Sequence, residues 1–178
     1  MRNIIYMTLL IILSGCMSIK PGATKSAKKY YETFYVGEEG TQYFIKPLTF
    51  NKDDSNEKLL LDITFRYKKV VKDSSKLNFS IKSSQQLMKS IDSLKISNDH
   101  HDILSNDIDL LFNEKNNDEF LSRFTTQVPL ENTHQLFDNN DWEFTIYFNK
   151  DKFNFKPTNK TQKAIKALSN DVFSIMNK

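Results

Sequence analysis

The sequence predicts an α+β domain in which a mainly antiparallel sheet of about six or seven strands packs with a C-terminal helix. Three observations predict it. Long runs alternate apolar and polar residues with the period of a half-buried strand, turn-forming clusters separate those runs at hairpin spacing, and only the last segment carries a clear helical stripe. A two-layer β-sandwich with a terminal helix is the alternative arrangement of the same elements.

The alternation is clearest where Leu59, Leu61, Ile63, Phe65 and Tyr67 interleave with Leu60, Asp62, Thr64, Arg66 and Lys68. One face is apolar and the other mostly charged, as a strand covering a core requires. The pattern returns in Leu77, Phe79 and Ile81, so the two runs read as an antiparallel pair. Trp142, Phe144, Ile146 and Phe148 lead through Asn149-Lys150-Asp151-Lys152 into Phe153-Asn154-Phe155, a hairpin by spacing although it lacks Asn-Gly. Tyr30 to Val36 and Thr41 to Leu48 flank Gly37-Glu38-Glu39-Gly40, which predicts a first hairpin, and Pro47 suggests that its second arm ends there or lies at an edge. Ile108 to Phe112 and Phe120 to Val128 are further strand candidates. Ser83-Ser84-Gln85-Gln86 has the form of a capping box, with Leu87 and Ile91 one turn apart, and predicts a short helix.

The C-terminal helix is expected over Asn159 to Met176. Ile165, Leu168, Val172 and Ile175 recur at helical spacing, Pro157 precedes them, and Thr158 or Thr161 is placed to cap. A stripe of plain aliphatics reads as a core face.

Composition bounds the rest. The chain has 178 residues, of which 39% are hydrophobic and 26% charged, the size of one globular domain with an appendage. Its net charge of +3 is small, and the lysines are spread over every segment, which speaks against nucleic-acid binding. With a single cysteine the chain forms no internal disulfide, so an exported domain of this kind depends on its core.

The N-terminus is the most informative segment. Arg2 is followed by an apolar run from Ile4 to Leu13, too short for a bilayer span of about 20 residues but suited to a signal peptide. Leu13-Ser14-Gly15-Cys16 comes directly after it. This quartet resembles the lipobox of bacterial lipoproteins. The resemblance implies cleavage before Cys16, a diacylglyceryl thioether on that cysteine, and a membrane partner reached through the covalent lipid. It covers the first 16 residues only and implies nothing about the mature fold. Residues 17 to 29 have no periodicity and four lysines, and are read as a tether. As a flexible coil they span about 20 Å. The expected organisation is therefore a signal peptide over 1–15, a lipidated cysteine and tether over 16–29, and one β-rich domain over 30–178. In a diderm source, Met17 after the cysteine and the absence of acid in Met17-Ser18-Ile19-Lys20 imply an outer-membrane protein facing the periplasm. A monoderm source would place it on the outer face of its single membrane.

Catalytic patterns are scarce. Gly22, Gly37 and Gly40 are the glycines beyond the signal, too few for a phosphate cradle, and neither Gly-x-Ser-x-Gly nor His-Glu-x-x-His occurs. Asp99-His100-His101-Asp102 gathers metal-ligand types, yet adjacent histidines diverge on either regular structure, so no metal and no cofactor is expected there. His134 stands apart in the sequence. Asp138-Asn139-Asn140-Asp141 resembles the start of a calcium loop but lacks the glycine and distal glutamate such loops need, and reads as a turn into Trp142. Tyr30, Tyr31, Phe34 and Tyr35 cluster just after the tether, and Tyr30, Tyr31 and Tyr35 are the candidate partner-contact residues. Core packing is the competing reading of these rings. The expected function is a non-enzymatic binding or assembly subunit of an envelope complex of secretion or transport type. The alternative is a small envelope hydrolase using dispersed acidic or serine residues.

Overall fold

The computed structural model describes residues 29–53, 55–68, 73–84 and 87–176. Each alternating run becomes a strand. In chain order these are β1 (Tyr31–Tyr35), β2 (Thr41–Lys52), β3 (Lys58–Tyr67), β4 (Ser74–Ser83), β5 (Ser93–Ser97), β6 (Asp102–Ser105), β7 (Asp109–Asn116), β8 (Glu119–Pro129), β9 (Glu143–Phe148) and β10 (Asp151–Pro157). Helix α1 (Leu130–Leu136) follows β8, and helix α2 (Asn159–Asp171) follows β10. All ten strands belong to one antiparallel sheet in the order β6-β5-β9-β10-β2-β3-β4-β8-β7, with β1 also paired to β2.

The expected class holds in its coarse form, a mainly antiparallel sheet with a C-terminal helix. Two details change. The described residues form ten strands where six or seven were expected, and the sandwich alternative gives way to a single curled half-barrel. The curl follows from the core. Leu48, Leu61, Phe79 and Phe124 stand opposite one another across β2, β3, β4 and β8. Phe155, Phe144, Ile96 and Ile103 do the same across β10, β9, β5 and β6. Phe144 and Phe79 lie on strands four places apart, which in a flat sheet would separate them by about 19 Å. Their rings are 5.4 Å apart, so the sheet has rolled its apolar face inward. At the rim, Ser105 of β6 and Thr126 of β8 share a hydrogen bond of 2.7 Å.

Helix α2 packs against β2 and β10. Thr158 caps it by accepting from the Thr161 amide, while Ala164, Ile165 and Leu168 enter the core. The helix stops at Asp171 and is followed by a 3-10 turn over Phe173–Ile175. That turn buries Phe173 and leaves Ile175 half exposed, so the expected stripe holds through Val172 and fails at Ile175. Phe173 stacks on Phe137 with centroids 3.9 Å apart and meets Phe65 at 5.5 Å. Phe137 in turn meets Trp142 edge to face at 4.8 Å, and the indole donates to the carbonyls of Leu136 and Asn139.

Two local expectations need correction, and three elements stand where none was expected. The short helix expected from Ser83 is absent: Ser83 ends β4, and residues 87–92 are irregular, with residues 85–86 outside the described set. Met88 and Ile91 nonetheless enter the core, and the Met88 amide donates to Ser122 Oγ instead of to a helical carbonyl. β5 and β6 were unrecognised because they are short and Leu104 faces solvent. Helix α1 stands where no element is expected, since the strand expected from Phe120 ends at Val128. Pro47 does not end β2 but lies, as the other expectation had it, at an edge: neither β1 nor β10 pairs with that stretch, and the pairing with β3 shifts register between Ile45 and Leu48.

The turns follow their residues. Asn149 and Lys150 adopt φ of 50° and 74°, a two-residue hairpin turn achieved without glycine. Gly40, at φ 96°, is required: a Cβ there would lie 2.4 Å from the Tyr67 carbonyl oxygen.

Phe173→Ala should leave a cavity between Phe65 and Phe137. A loss of about 3–5 kcal/mol in urea unfolding is expected, and unchanged stability would show that the C-terminal turn is not part of the core.

Candidate functional site

The rings singled out near the start of the domain are divided by strand alternation and by position along β1: Tyr31 and Tyr35 share one face and Phe34 takes the other, and of the first two only Tyr31 reaches the core. Tyr31 points inward opposite Ile45 and is buried, with its ring 6.2 Å from that of Tyr43. Tyr43 stacks on Phe65 at 5.0 Å, which joins this group to Phe173. The expectation that Tyr31 presents itself to a partner is therefore corrected: it is a core residue. Tyr30 is half-buried against the same core. Tyr35 is 72% exposed at the far end of β1, and Phe34 and Phe44 are also exposed. Phe34 and Phe44 meet edge to face at 5.5 Å on the outer side of the β1–β2 hairpin. Charged pairs flank them. Lys46 bridges Glu32 at 3.2 Å on one side, and Arg66 pairs with Glu39 and donates to Gln42 on the other. Cys16 lies outside the described residues, as do the expected signal peptide and the expected tether up to residue 28.

The hairpin surface adjoins a cleft. β1 covers the edge of β2 from Thr41 to Ile45, and β10 covers the same edge from Phe50 to Lys52. The bulge between them is bordered by a cleft of about 180 Å³ lined by Lys29, Tyr30, Lys46, Pro47 and Lys160 among others. Thr161 closes its inner end, accepting from the Thr49 amide at 2.9 Å and donating to the Thr49 carbonyl at 2.7 Å.

A second cleft, of about 400 Å³, is open and polar, bordered by Asn56, Lys82, Ser83, Asp118 and Glu119. Two of its charges are matched to each other. Lys82 bridges Glu119 at 3.2 Å, and the buried Glu57 behind it pairs with Lys52 and accepts from Ser83 Oγ at 2.8 Å. The outer face of the sheet is similarly knitted by Arg123, which donates to Asp62 at 2.7 Å and to Ser80 at 2.8 Å, while Asn78 donates to Asp62. Sequence reasoning did not single out Arg123, although its place on a polar strand face was the available signal. β7 forms the opposite edge of the sheet and exposes Leu110, Leu111 and Phe112 at a bulge against β8. Bulges of this kind twist an edge away from further pairing.

The histidine cluster occupies the turn between β5 and β6. Both His100 and His101 amides donate to Asn98 Oδ1, and the two rings sit edge to face at 6.5 Å. His101 faces Asp138 at 3.7 Å, Asp102 bridges Lys95, and Asp99 accepts from Asn139. Among the described residues no three His, Cys, Asp or Glu side chains converge to hold a metal ion. His134 lies on α1, with Nε2 3.2 Å from the Phe173 carbonyl. Asp138 to Asp141 form the turn before β9, where the Asp141 amide donates to Asn139 Oδ1.

Compared with protein-family models, curated proteins and solved structures, the chain finds no match. No helix among the described residues is long and apolar enough to cross a membrane.

Tyr31→Ala should destabilise the domain by about 3 kcal/mol, whereas Tyr35→Ala should leave the melting temperature within error; equal effects would remove the distinction between core and surface rings. Burial raises the pKa of the Tyr31 phenol, with Asp171 and Tyr43 adding to it, and burial then Tyr67 raise that of Tyr43. The unfolded chain then loses these protons first. Stability contributed by the neutral phenols is complete below about pH 10 and is lost as pH climbs from there through the folded-state values. Tyr43→Phe should flatten that alkaline limb in pH-dependent urea titrations, and an unchanged limb would count against it.

Proposed function

We propose that this chain is a membrane-anchored bacterial envelope lipoprotein that serves as a non-enzymatic binding or assembly subunit of an envelope complex of secretion or transport type. The observation that carries the binding role is the exposed pair of Phe34 and Phe44 on the outer face of the β1–β2 hairpin, flanked by the Glu32–Lys46 and Arg66–Glu39 pairs, with exposed Tyr35 at the end of β1. An apolar aromatic centre within a charged rim is the anatomy of a protein interface, and aromatic anchors in such centres dominate binding energy. The anchoring role rests on Leu13-Ser14-Gly15-Cys16 after the apolar run. Two or three acyl chains hold a protein firmly where one is marginal. In a diderm cell the domain would face the periplasm from the outer membrane.

The hydrolase alternative has one observation in its favour, the hydrogen bond from Ser83 to Glu57 beside the larger cleft. Both side chains are buried and the carboxylate is also engaged by Lys52, an arrangement suited to stabilising the β3–β4 pair.

Cys16→Ala should abolish lipid labelling and leave uncleaved precursor; normal processing of that variant would sink the anchor. The Phe34→Ala/Tyr35→Ala/Phe44→Ala variant should keep its melting temperature and lose at least tenfold in affinity, or about 1.4 kcal/mol, for proteins crosslinked to the native chain in intact envelopes. Undiminished capture of those proteins would exclude this surface.

A further inference from the structure

We propose that the cleft at the bulge of β2 binds the anionic phospholipid headgroups of the bilayer surface and seats the domain on its own membrane; this rests on the membrane-anchor reading above. Three lysines border the cleft from three separate segments: Lys29 ahead of β1, Lys46 at the bulge and Lys160 in the first turn of α2. All three residues are exposed, and Lys29 lies 5.5 Å over the ring of Tyr30. Leu48 and Ala164 form an apolar floor, and both are buried. A small cleft with lysines at its mouth and apolar side chains below matches a phosphodiester with glycerol carbons beside it.

The backbone holds this arrangement open. Neither β1 nor β10 pairs with residues 46–49 of β2, and the Lys46 and Thr49 amides are satisfied by Tyr30 O at 2.8 Å and Thr161 Oγ1 at 2.9 Å. The cleft thus forms without unmet hydrogen bonds at those amides. Glu32 is the acid that competes for it, through its 3.2 Å bridge to Lys46. Both partners of that bridge are about half exposed, so a phosphate can take the place of the carboxylate at little cost.

Chain position selects the bilayer as the occupant. The described domain begins at Lys29, on the cleft wall, and 12 residues separate it from Cys16. Fully extended, a segment of that length reaches about 40 Å and as a coil about 20 Å. The cleft is accordingly the part of the domain with the shortest path to the anchor, and the segment is long enough to let its lysines approach an anionic surface to within a Debye length of about 8–10 Å, where they are attracted.

The test uses the full processed chain in vesicles of phosphatidylcholine with or without phosphatidylglycerol. A water-soluble acylating reagent labels lysines, and peptide masses report each site. Lys29, Lys46 and Lys160 should label about threefold more slowly with phosphatidylglycerol, recovering in about 0.5 M salt, while Lys115 on β7 is unaffected. K46Q/K160Q, which alters two exposed side chains, should abolish the lipid dependence at Lys29. Equal labelling in the two vesicle types overturns the inference, as does equal protection by inorganic phosphate over phosphatidylcholine alone, which would mark a soluble-phosphate site. The N-terminal peptide mass reads the anchor separately. If Cys16 carries no lipid, the anchor reading fails, and protection of the three lysines by added anionic vesicles still decides for or against the cleft.

Discussion

The architecture depends on one shared strand edge. β2 pairs with β3 along one side, and along the other it pairs first with β1 and then with β10. The whole β6-β5-β9-β10 half of the sheet is joined to the rest through the pairing of Phe155, Lys156 and Pro157 with Lys52, Asn51 and Phe50. So short a junction is held by what lies on either face of it. Thr49 and Thr161 tie β2 to the start of α2 in both directions, and the Thr158 amide donates to the Thr49 carbonyl as well. The bulge at Pro47 is therefore the hinge point of the sheet, and the cleft beside it is a consequence of two strands meeting one edge without touching.

Aromatic packing makes the curl permanent. Tyr31, Tyr43, Phe65, Phe173, Phe137 and Trp142 form a continuous series of ring contacts from the first strand to the start of β9. A second group, Phe50, Phe144, Phe79 and Phe124, joins the two halves of the sheet directly. With one cysteine in the chain, no internal disulfide contributes, and these rings supply the non-local contacts that a disulfide would otherwise fix. The same series explains why a sequence neighbour can have an opposite fate: Tyr31 joins the series while Phe34 and Tyr35, a few residues later, face water.

The surfaces divide by how their polar groups are matched. The outer face of β3, β4 and β8 is crosslinked by Arg123, Asp62, Asn78 and Ser80, and in the larger cleft Lys82 is paired with Glu119. The hairpin of β1 and β2 differs, because it shows aromatic rings and adjoins three lysines at the place where the described chain begins. Protein contact on the rings and membrane contact at the lysines are compatible, since they use adjoining parts of one end of the domain.

Alternation by itself determined β3, β4, β8 and the β9–β10 hairpin, because a period of two with one apolar face has a single buried solution. It also determined that α2 follows Pro157 and buries Ile165 and Leu168. The lipobox resemblance is likewise a property of sequence, since it is a linear signal that needs no fold. Tertiary structure decided the rest. β5 and β6 are too short to declare themselves and exist because β9 offers an edge to β5 and β5 in turn offers one to β6. Ser83 to Ile91 contains helical cues, yet Ser122 takes the Met88 amide and Met88 and Ile91 are needed in the core. Phe173, outside the aliphatic stripe, became central once the helix ended at Asp171 and the following turn swung the ring toward Phe65. The candidate surface was half legible: the tyrosine cluster was visible in the sequence, but which rings face the core depends on the register of β1 against β2. The lysine cleft was not legible at all, because Lys29, Lys46 and Lys160 come together only when β1, the β2 bulge and α2 meet, and no local pattern encodes a contact between such distant segments.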